Sequence, residues 1–232
     1  MTRVPPSAGV PVRCQGFTLV EVLVALAAMA LLAVMSWSGI DAMHRAETGT
    51  RDRSEGVLAL QTGLSQWRTD LDAMTPLAPV GGVDFDGRVI RITRIAQPAD
   101  SADSAIVVVA WGARQIDGQR QWLRWQSVPV RTREQLQLAW QQAALWGQNP
   151  SDALRRQEVR IAAVDEWQVF YFRNNSWSSP LSSDSGTEVP GTTVQTPLPD
   201  GVRLLLTLSD GQVLTGRLQH DWVRPTLGAA RS

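Results

Sequence analysis

One uninterrupted apolar segment near the N-terminus constrains this chain more than any other feature. From Phe17 to Trp37 the chain carries a single formal charge, that of Glu21. A helix of this length spans about 30 Å at 1.5 Å per residue, which matches the hydrocarbon core of a bilayer. The sequence therefore predicts one transmembrane helix, residues 17–37, with the rest of the chain outside the membrane.

The composition of the chain indicates what the part outside the membrane can form and bind. The chain has 232 residues and 44% of them are hydrophobic, which allows one domain with a core of its own. Its 22 basic and 22 acidic residues cancel, so it lacks the basic surface typical of nucleic-acid binding. The only cysteine is Cys14. No nucleic-acid partner and no cofactor are predicted.

A secretory signal peptide is the simplest alternative for the apolar segment. Ala28-Met29-Ala30 has the small-x-small pattern of a signal-peptidase site. However, the apolar run continues past it through Trp37, and an acidic residue within the apolar region of a signal would have no purpose. The signal-peptide reading therefore explains Glu21 poorly.

The stretch "GFTLVEVLVAL" resembles the class III signal of type IV prepilins and of the pseudopilins of type II secretion. In that family a short leader ends in glycine, phenylalanine follows, and a glutamate lies four residues further on, as do Gly16, Phe17 and Glu21 here. The resemblance implies that prepilin peptidase removes residues 1–16, cutting between Gly16 and Phe17, and methylates the new amine of Phe17. The leader contains Arg3, Arg13 and no acid, so it is expected to stay in the cytoplasm, with the domain in the periplasm.

Glu21 needs a physical reason for its place in a membrane segment. A carboxylate within hydrocarbon costs about 2.5 to 3.5 kcal/mol, so a partner is expected. The resemblance implies that Glu21 pairs with the N-terminal amine of a neighbouring subunit during assembly of a filament. The alternative is that the carboxylate only interacts with its own helix N-terminus, which contributes about 0.3 to 1 kcal/mol.

Beyond the membrane the pattern remains helical but becomes amphipathic. Apolar residues at alternating spacings of three and four predict one buried helix face. They are Val57, Leu60, Leu64, Trp67, Leu71 and Met74. The helix is expected to run from Phe17 to about Met74 and to stop before Pro76. Packing on a sheet of the same chain is favoured over a coiled-coil seam, which needs more heptads. Residues 38–75 are thus predicted as the periplasmic part of the long helix.

Residues 76–232 are predicted to form a β-rich domain. Runs of branched and aromatic residues, each a candidate strand, begin at Arg88, Ala105, Gln121, Trp167 and Gly201. Asp210-Gly211 predicts a tight hairpin turn within the last run. A further helix is expected from Arg133 and a surface loop over Ser178–Pro199. The predicted fold class is α+β and pilin-like, with a long N-terminal helix packed on antiparallel β-sheet.

Four stretches beyond the membrane segment resemble the J-type minor pseudopilins of type II secretion. They are "LQTGLSQWRTDLDAM", "WLRW" at Trp122–Trp125, "VDEWQVFYFRNNSW" at Val164–Trp177 and "LPDGVRLLLTLSDGQ" at Leu198–Gln212. The segment Thr132–Gln157 is longer than that family leads us to expect. The resemblance implies a subunit of the pseudopilus tip, with I-type and K-type minor pseudopilins, the major pseudopilin and the inner-membrane assembly platform as partners. A minor pilin of a type IV pilus is the runner-up.

Residues able to support catalysis or metal binding are few. His220-Asp221 is the one adjacent pair of histidine and carboxylate, and no nucleophile motif accompanies it. "DFDG" at Asp84–Gly87 and "SDSGTE" at Ser183–Glu188 contain calcium-type ligands but favour plain turns. Neither an enzyme nor a metal site is predicted. A membrane-tethered periplasmic binding or enzymatic domain remains the alternative to a filament subunit, and Glu21 favours the filament subunit.

Overall fold

The computed structural model describes residues 16–96, 104–182, 197–211 and 214–225. The chain divides into two compact units, Met1–Arg51 and Asp52–Ser232. In the first unit the described residues from Leu19 onward are helical, as part of α1 (Leu19–Asp72). The second unit contains the last turns of α1 and all of the strands.

Within the described residues of the second unit, eight strands form one sheet and pair antiparallel throughout. Their order is β1-β2-β3-β4-β5-β7-β8, and β6 pairs with the end of β5 on the edge opposite β7. The strands are β1 (Val83–Phe85), β2 (Val89–Ala96), β3 (Ala105–Ile116), β4 (Gln119–Gln126), β5 (Glu158–Arg173), β6 (Ser176–Ser178), β7 (Gly201–Leu208) and β8 (Gly216–Val223). The connection between β4 and β5 contains two helices, α2 (Arg133–Gln148) and α3 (Asp152–Arg155).

The two faces of the sheet bury different helices, because side chains alternate along each strand. One cluster of buried residues joins the end of α1 to strands across the width of the sheet, from β1 to β8, with Trp67, Trp111 and Trp122 in mutual ring contact. The other joins α2 to β2, β3 and β4 through residues such as Trp125 and Trp146. The predicted α+β fold, a long helix with an antiparallel sheet, is confirmed.

The predicted stripe of α1 is the face that packs on the sheet. Leu60, Trp67 and Leu71 are buried, while Val57, Leu64 and Met74 are half-buried. The helix ends at Asp72, shortly before Pro76, as the sequence indicated. Burial of the stripe within the chain agrees with the prediction of packing on its own sheet.

The predicted helix from Arg133 is present as α2, and its start is fixed by local chemistry. The hydroxyl of Thr132 accepts from the backbone N–H of Gln135, whose side chain in turn accepts from the backbone N–H of Thr132. This capping box satisfies two N–H groups that a helix start otherwise leaves without partners. The connection from β4 to β5 therefore has a defined structure.

The sequence-based strand bounds need three corrections. Strand β5 begins at Glu158, well before Trp167, because the alternating run before Trp167 contains charged residues that obscured its pattern. The short strand β1 was not predicted. The connection between β7 and β8 is longer than a tight turn at Asp210-Gly211, since pairing stops at Leu208 and Gly216. Most of the predicted loop Ser178–Pro199 lies outside the described residues.

Candidate functional site

The first turn of α1 is built by Thr18. The backbone N–H of Glu21 lies 3.1 Å from the carbonyl oxygen of Thr18 and 3.3 Å from its hydroxyl oxygen, so both accept from it. A hydroxyl in this position replaces the helical partner that an N–H in the first turn lacks. Glu21 is thereby placed in the first turn, where the helix dipole favours an acidic side chain.

The helix surface around Glu21 is apolar and uncovered. Every large hydrophobic side chain from Phe17 to Trp37 is at least 47% exposed. One 18-residue window of α1 has a mean hydropathy of 2.5 and none of its residues is buried. A contiguous apolar surface of this kind is not stable in water, so it needs a lipid or protein covering. By length and composition α1 is able to cross a membrane.

The carboxylate of Glu21 has no basic partner among the described residues. The ion pair nearest to it along α1 joins Arg45 and Asp41, at 2.7 Å, beyond the apolar segment. Glu21 follows Phe17 by four residues, which is about one helical turn. A charge so placed is available to a partner outside its own helix.

Gly16 is not required by the packing around it. A Cβ built at Gly16 meets no heavy atom within 4 Å, and its φ lies outside the left-handed region that favours glycine. Within the described part of the chain, neither space nor backbone conformation therefore explains a glycine at this position. Gly16 and Phe17 directly precede α1, and Glu21 lies in its first turn.

Asp70 fixes the other end of α1 to the sheet, and it was not predicted from the sequence. Its buried carboxylate accepts from Nε1 of Trp111 at 2.8 Å and from Nε and Nη2 of Arg124 at 2.8 and 3.0 Å. It also accepts from Nε2 of Gln66 at 2.8 Å, and Nε of Arg94 lies 3.3 Å away. An acid three residues after Trp67, on a buried helix face, was the sequence signal for this cluster.

Two guanidinium groups share the single carboxylate of Asp70. Burial lowers the pKa of Arg94 and the nearby Arg124 lowers it further, while the charge of Asp70 raises it. The side chains of Arg94 and Arg124 are both only 13% exposed. Asp70 therefore balances charge that the sheet would otherwise bury unpaired, and it ties α1 to β2, β3 and β4.

The residues considered for catalysis or metal binding make contacts that stabilise strands and turns. Asp221 pairs with Arg203 through two hydrogen bonds of 2.8 and 2.7 Å, while His220, its neighbour on β8, belongs to the opposite face of the strand. Partial burial, and then the charge of Arg68, lower the pKa of His220; Asp221 opposes this shift. The carboxylate of Asp86 accepts from the backbone N–H groups of Arg88 and Val89 in a turn. "SDSGTE" lies outside the described residues.

Two comparisons with known proteins match parts of the chain. Residues 12–37 match the family model described as the prokaryotic N-terminal methylation motif. Over 64 residues the chain is 44% identical to the type II secretion system protein J of Klebsiella pneumoniae. The predicted resemblance is confirmed. Together the two comparisons support a type II secretion pseudopilin of the J type. The match to protein J covers 28% of this chain and 32% of that relative.

Proposed function

We propose that this protein is a minor pseudopilin of the type II secretion system, a structural subunit that helps to initiate assembly of the pseudopilus. The observation that carries this proposal is Glu21, an acid in an exposed apolar helix that has no basic partner among the described residues and lies four residues after Phe17. A helix that served only as a tether would gain nothing from that acid. The matched methylation motif and the partial identity to a protein J support the same role.

In this proposal prepilin peptidase removes residues 1–16 and methylates the amine of Phe17. Residues 17–37 then cross the inner membrane, residues 38–75 continue the helix into the periplasm, and residues 76–232 form the periplasmic domain. The arginines of the leader, Arg3 and Arg13, favour a cytoplasmic N-terminus. Recognition by a peptidase is supported by Gly16, for which the described residues give neither a packing nor a backbone reason.

Glu21 acts in assembly rather than in insertion. Once the leader is removed, each subunit carries a new ammonium at Phe17 and an acid one turn away. In hydrocarbon an unpaired carboxylate is costly, so an amine of a neighbouring subunit at the same depth is a favourable partner. I-type and K-type minor pseudopilins are the proposed neighbours at the tip, followed by the major pseudopilin and the inner-membrane assembly platform.

Intact-mass measurement of the full chain extracted from membranes tests the processing step. The expected mature protein begins at methylated Phe17. In Gly16→Val the precursor is expected to persist in the membrane with its leader attached. A mature chain that begins after Ala30 would instead identify a cleaved secretory signal and would end the pseudopilin reading.

Complementation of a secretion-deficient strain tests the role of Glu21. We expect Glu21→Leu to insert into the inner membrane as well as the wild type, because the change makes the segment more apolar. Secretion is expected to fall sharply. Val22→Leu, a neutral change at the next position, is the matched control. Full secretion with Glu21→Leu would mean that the carboxylate interacts only with the dipole of its own helix. A defect in piliation alone would favour a minor pilin of a type IV pilus.

A further inference from the structure

Strand β8 (Gly216–Val223) lies at one edge of the sheet, and β7 is its one partner among the described strands. An edge strand directs every second pair of backbone N–H and C=O groups away from the sheet. The opposite edge of the sheet is formed by the short strand β1 and the part of β2 that extends past it. The described residues treat these two edges differently.

The edge at β2 is covered by backbone of the same chain. The N–H of Thr93 donates to the carbonyl oxygen of Gly82 at 2.9 Å, and the N–H of Ile95 donates to that of Ala73 at 3.2 Å. Residues 73–82 therefore bond to backbone groups of β2 that β1 does not reach. No described residue outside β7 bonds in this way to the backbone of β8.

The bonds beside β8 identify the backbone groups that it leaves open. Gly201 of β7 lies opposite Val223 of β8. One residue further on, the N–H of Arg224 donates to the carbonyl oxygen of Asp200 at 2.9 Å. Bonded and unbonded pairs alternate along an antiparallel ladder, so even-numbered residues of β8 bond to β7 and odd-numbered residues direct their N–H and C=O groups outward. The outward-directed residues are Arg217, Gln219, Asp221 and Val223.

The side chains beside these groups indicate which sequence fits the edge. On the face of the sheet away from α1, Asp221 pairs with Arg203, whereas Arg217 forms no ion pair with another described residue. On the face that packs on α1, Leu218 and His220 are half-buried. A strand added at this edge would therefore meet an unpaired positive charge on one face and a partly apolar surface on the other.

We propose that β8 binds an extended segment of another polypeptide, which adds to the sheet as one more antiparallel strand. The segment carries an acidic residue opposite Arg217 and apolar residues on the face of Leu218. Extended backbone is the occupant that the edge specifies, because it presents N–H and C=O groups at the same two-residue spacing. The acid supplies the complementary charge. This inference goes beyond the proposed pseudopilin function and uses neither Glu21 nor the cleavage site.

A second copy of this chain is a less favourable occupant of the edge. Two β8 strands that paired antiparallel would be related by a two-fold axis perpendicular to the sheet. The turns of α1 that pack along the sheet, residues 60–71, would then run in opposite directions in the two copies. That arrangement does not suit two chains anchored in one membrane.

Fluorescence anisotropy of a labelled peptide tests the pairing, with the full chain in detergent micelles and empty micelles as the blank. The probe is a peptide of the length of β8, capped at both ends, in which valine alternates with threonine and one threonine near the C-terminus is replaced by glutamate. In antiparallel pairing with glutamate opposite Arg217, the threonine amides face β8 and the valine amides face away. We expect N-methylation of one threonine amide to weaken binding about tenfold or more, and N-methylation of one valine amide to change it little. Equal binding of the two methylated peptides, or no saturable binding of the unmodified one, would overturn the proposal.

A pair of proline variants tests which backbone groups of β8 are open. Gln219→Pro removes an N–H that points outward, so the melting temperature should change little while peptide binding is lost. His220→Pro removes a bond to β7 and should lower the melting temperature sharply. The opposite order of melting temperatures would show that the assignment of open groups is wrong.

A charge reversal tests the proposed sequence preference. Arg217→Glu should weaken binding of the glutamate peptide and strengthen binding of a peptide with lysine in its place, whereas Arg133→Glu, an exposed change at the start of α2, should alter neither. Light scattering identifies the alternative occupant, since self-association that Gln219→Pro abolishes would assign the edge to a second copy and overturn the proposal. If no peptide binds while Glu21→Leu abolishes secretion, the edge proposal fails and the pseudopilin proposal stands.

Discussion

Replacing Asp70 by asparagine tests whether one buried carboxylate holds α1 against the sheet. The change retains the size of the side chain but leaves Arg94 and Arg124, each only 13% exposed, without a counter-charge. Removing one partner of a buried ion pair costs about 3 to 5 kcal/mol, since the remaining charge stays desolvated. We expect a loss near 3 kcal/mol, because asparagine can still accept from Nε1 of Trp111.

The assay is urea unfolding of the full chain in detergent micelles, followed by tryptophan fluorescence. Trp67, Trp111 and Trp122 are fully buried beside Asp70, so their emission should report on this part of the domain. Asp72→Asn is the matched control. The carboxylate of Asp72 is 42% exposed and accepts one tryptophan N–H, from Trp222 at 2.7 Å, so about 1 kcal/mol or less should be lost.

A second variant tests whether the loss of stability comes from the unpaired charges or from any substitution at position 70. Asp70→Asn combined with Arg94→Met and Arg124→Met replaces the charged set by groups of similar volume, which is often neutral in protein cores. We expect much of the lost stability to return. If Asp70→Asn alone costs less than about 1 kcal/mol, the two guanidinium groups do not depend on Asp70 and the argument from charge balance is refuted.

Three further predictions concern the same domain. Trp67→Ala should lower the free energy of unfolding by about 3 to 5 kcal/mol as a large-to-small core change, measured by urea unfolding; a loss below about 1 kcal/mol would contradict its central place in the core. Gly63→Ala should cost about 1 to 3 kcal/mol through overpacking against Ile161, and Ile161→Ala in the same chain should recover part of that loss if the clash is the cause. Stability should fall as pH drops from about 7.5 to 5.5, because the pKa of His220 is lowered by folding and the unfolded chain takes up the proton first, near its ordinary value of 6.5. In His220→Gln the melting temperature should depend less on pH over that range, and an unchanged dependence would assign it to other groups.

The long helix and its buried face were predictable because they follow from local pattern. Apolar spacing gave the stripe from Val57 to Met74, and Pro76 indicated the end of the helix. The same holds for α2, whose capping residues, Thr132 and Gln135, are close together in the sequence. In each case the residues that determine the element are neighbours along the chain.

Features that depend on distant residues were not predictable. The carboxylate of Asp70 is neutralised by groups on β2 and β4, and nothing in its local sequence identifies Arg94 or Arg124 as partners. The strand order around β5 and the start of β5 at Glu158 likewise depend on pairing with β4 and β7. Of the candidate site, Gly16, Phe17 and Glu21 were recognisable because the motif is contiguous in the sequence.

The helical connection between β4 and β5, which contains α2 and α3, limits how the fold can change during evolution. Strands β4 and β5 are neighbours in the sheet, so a short turn could join them and α2 and α3 form an insertion. Yet α2 covers Val108, Ala110 and Trp125, which would face water without it. A related protein with a shorter insertion would need polar residues at these positions. The length of this insertion and the polarity of the strand face beneath it are therefore expected to vary together among related chains.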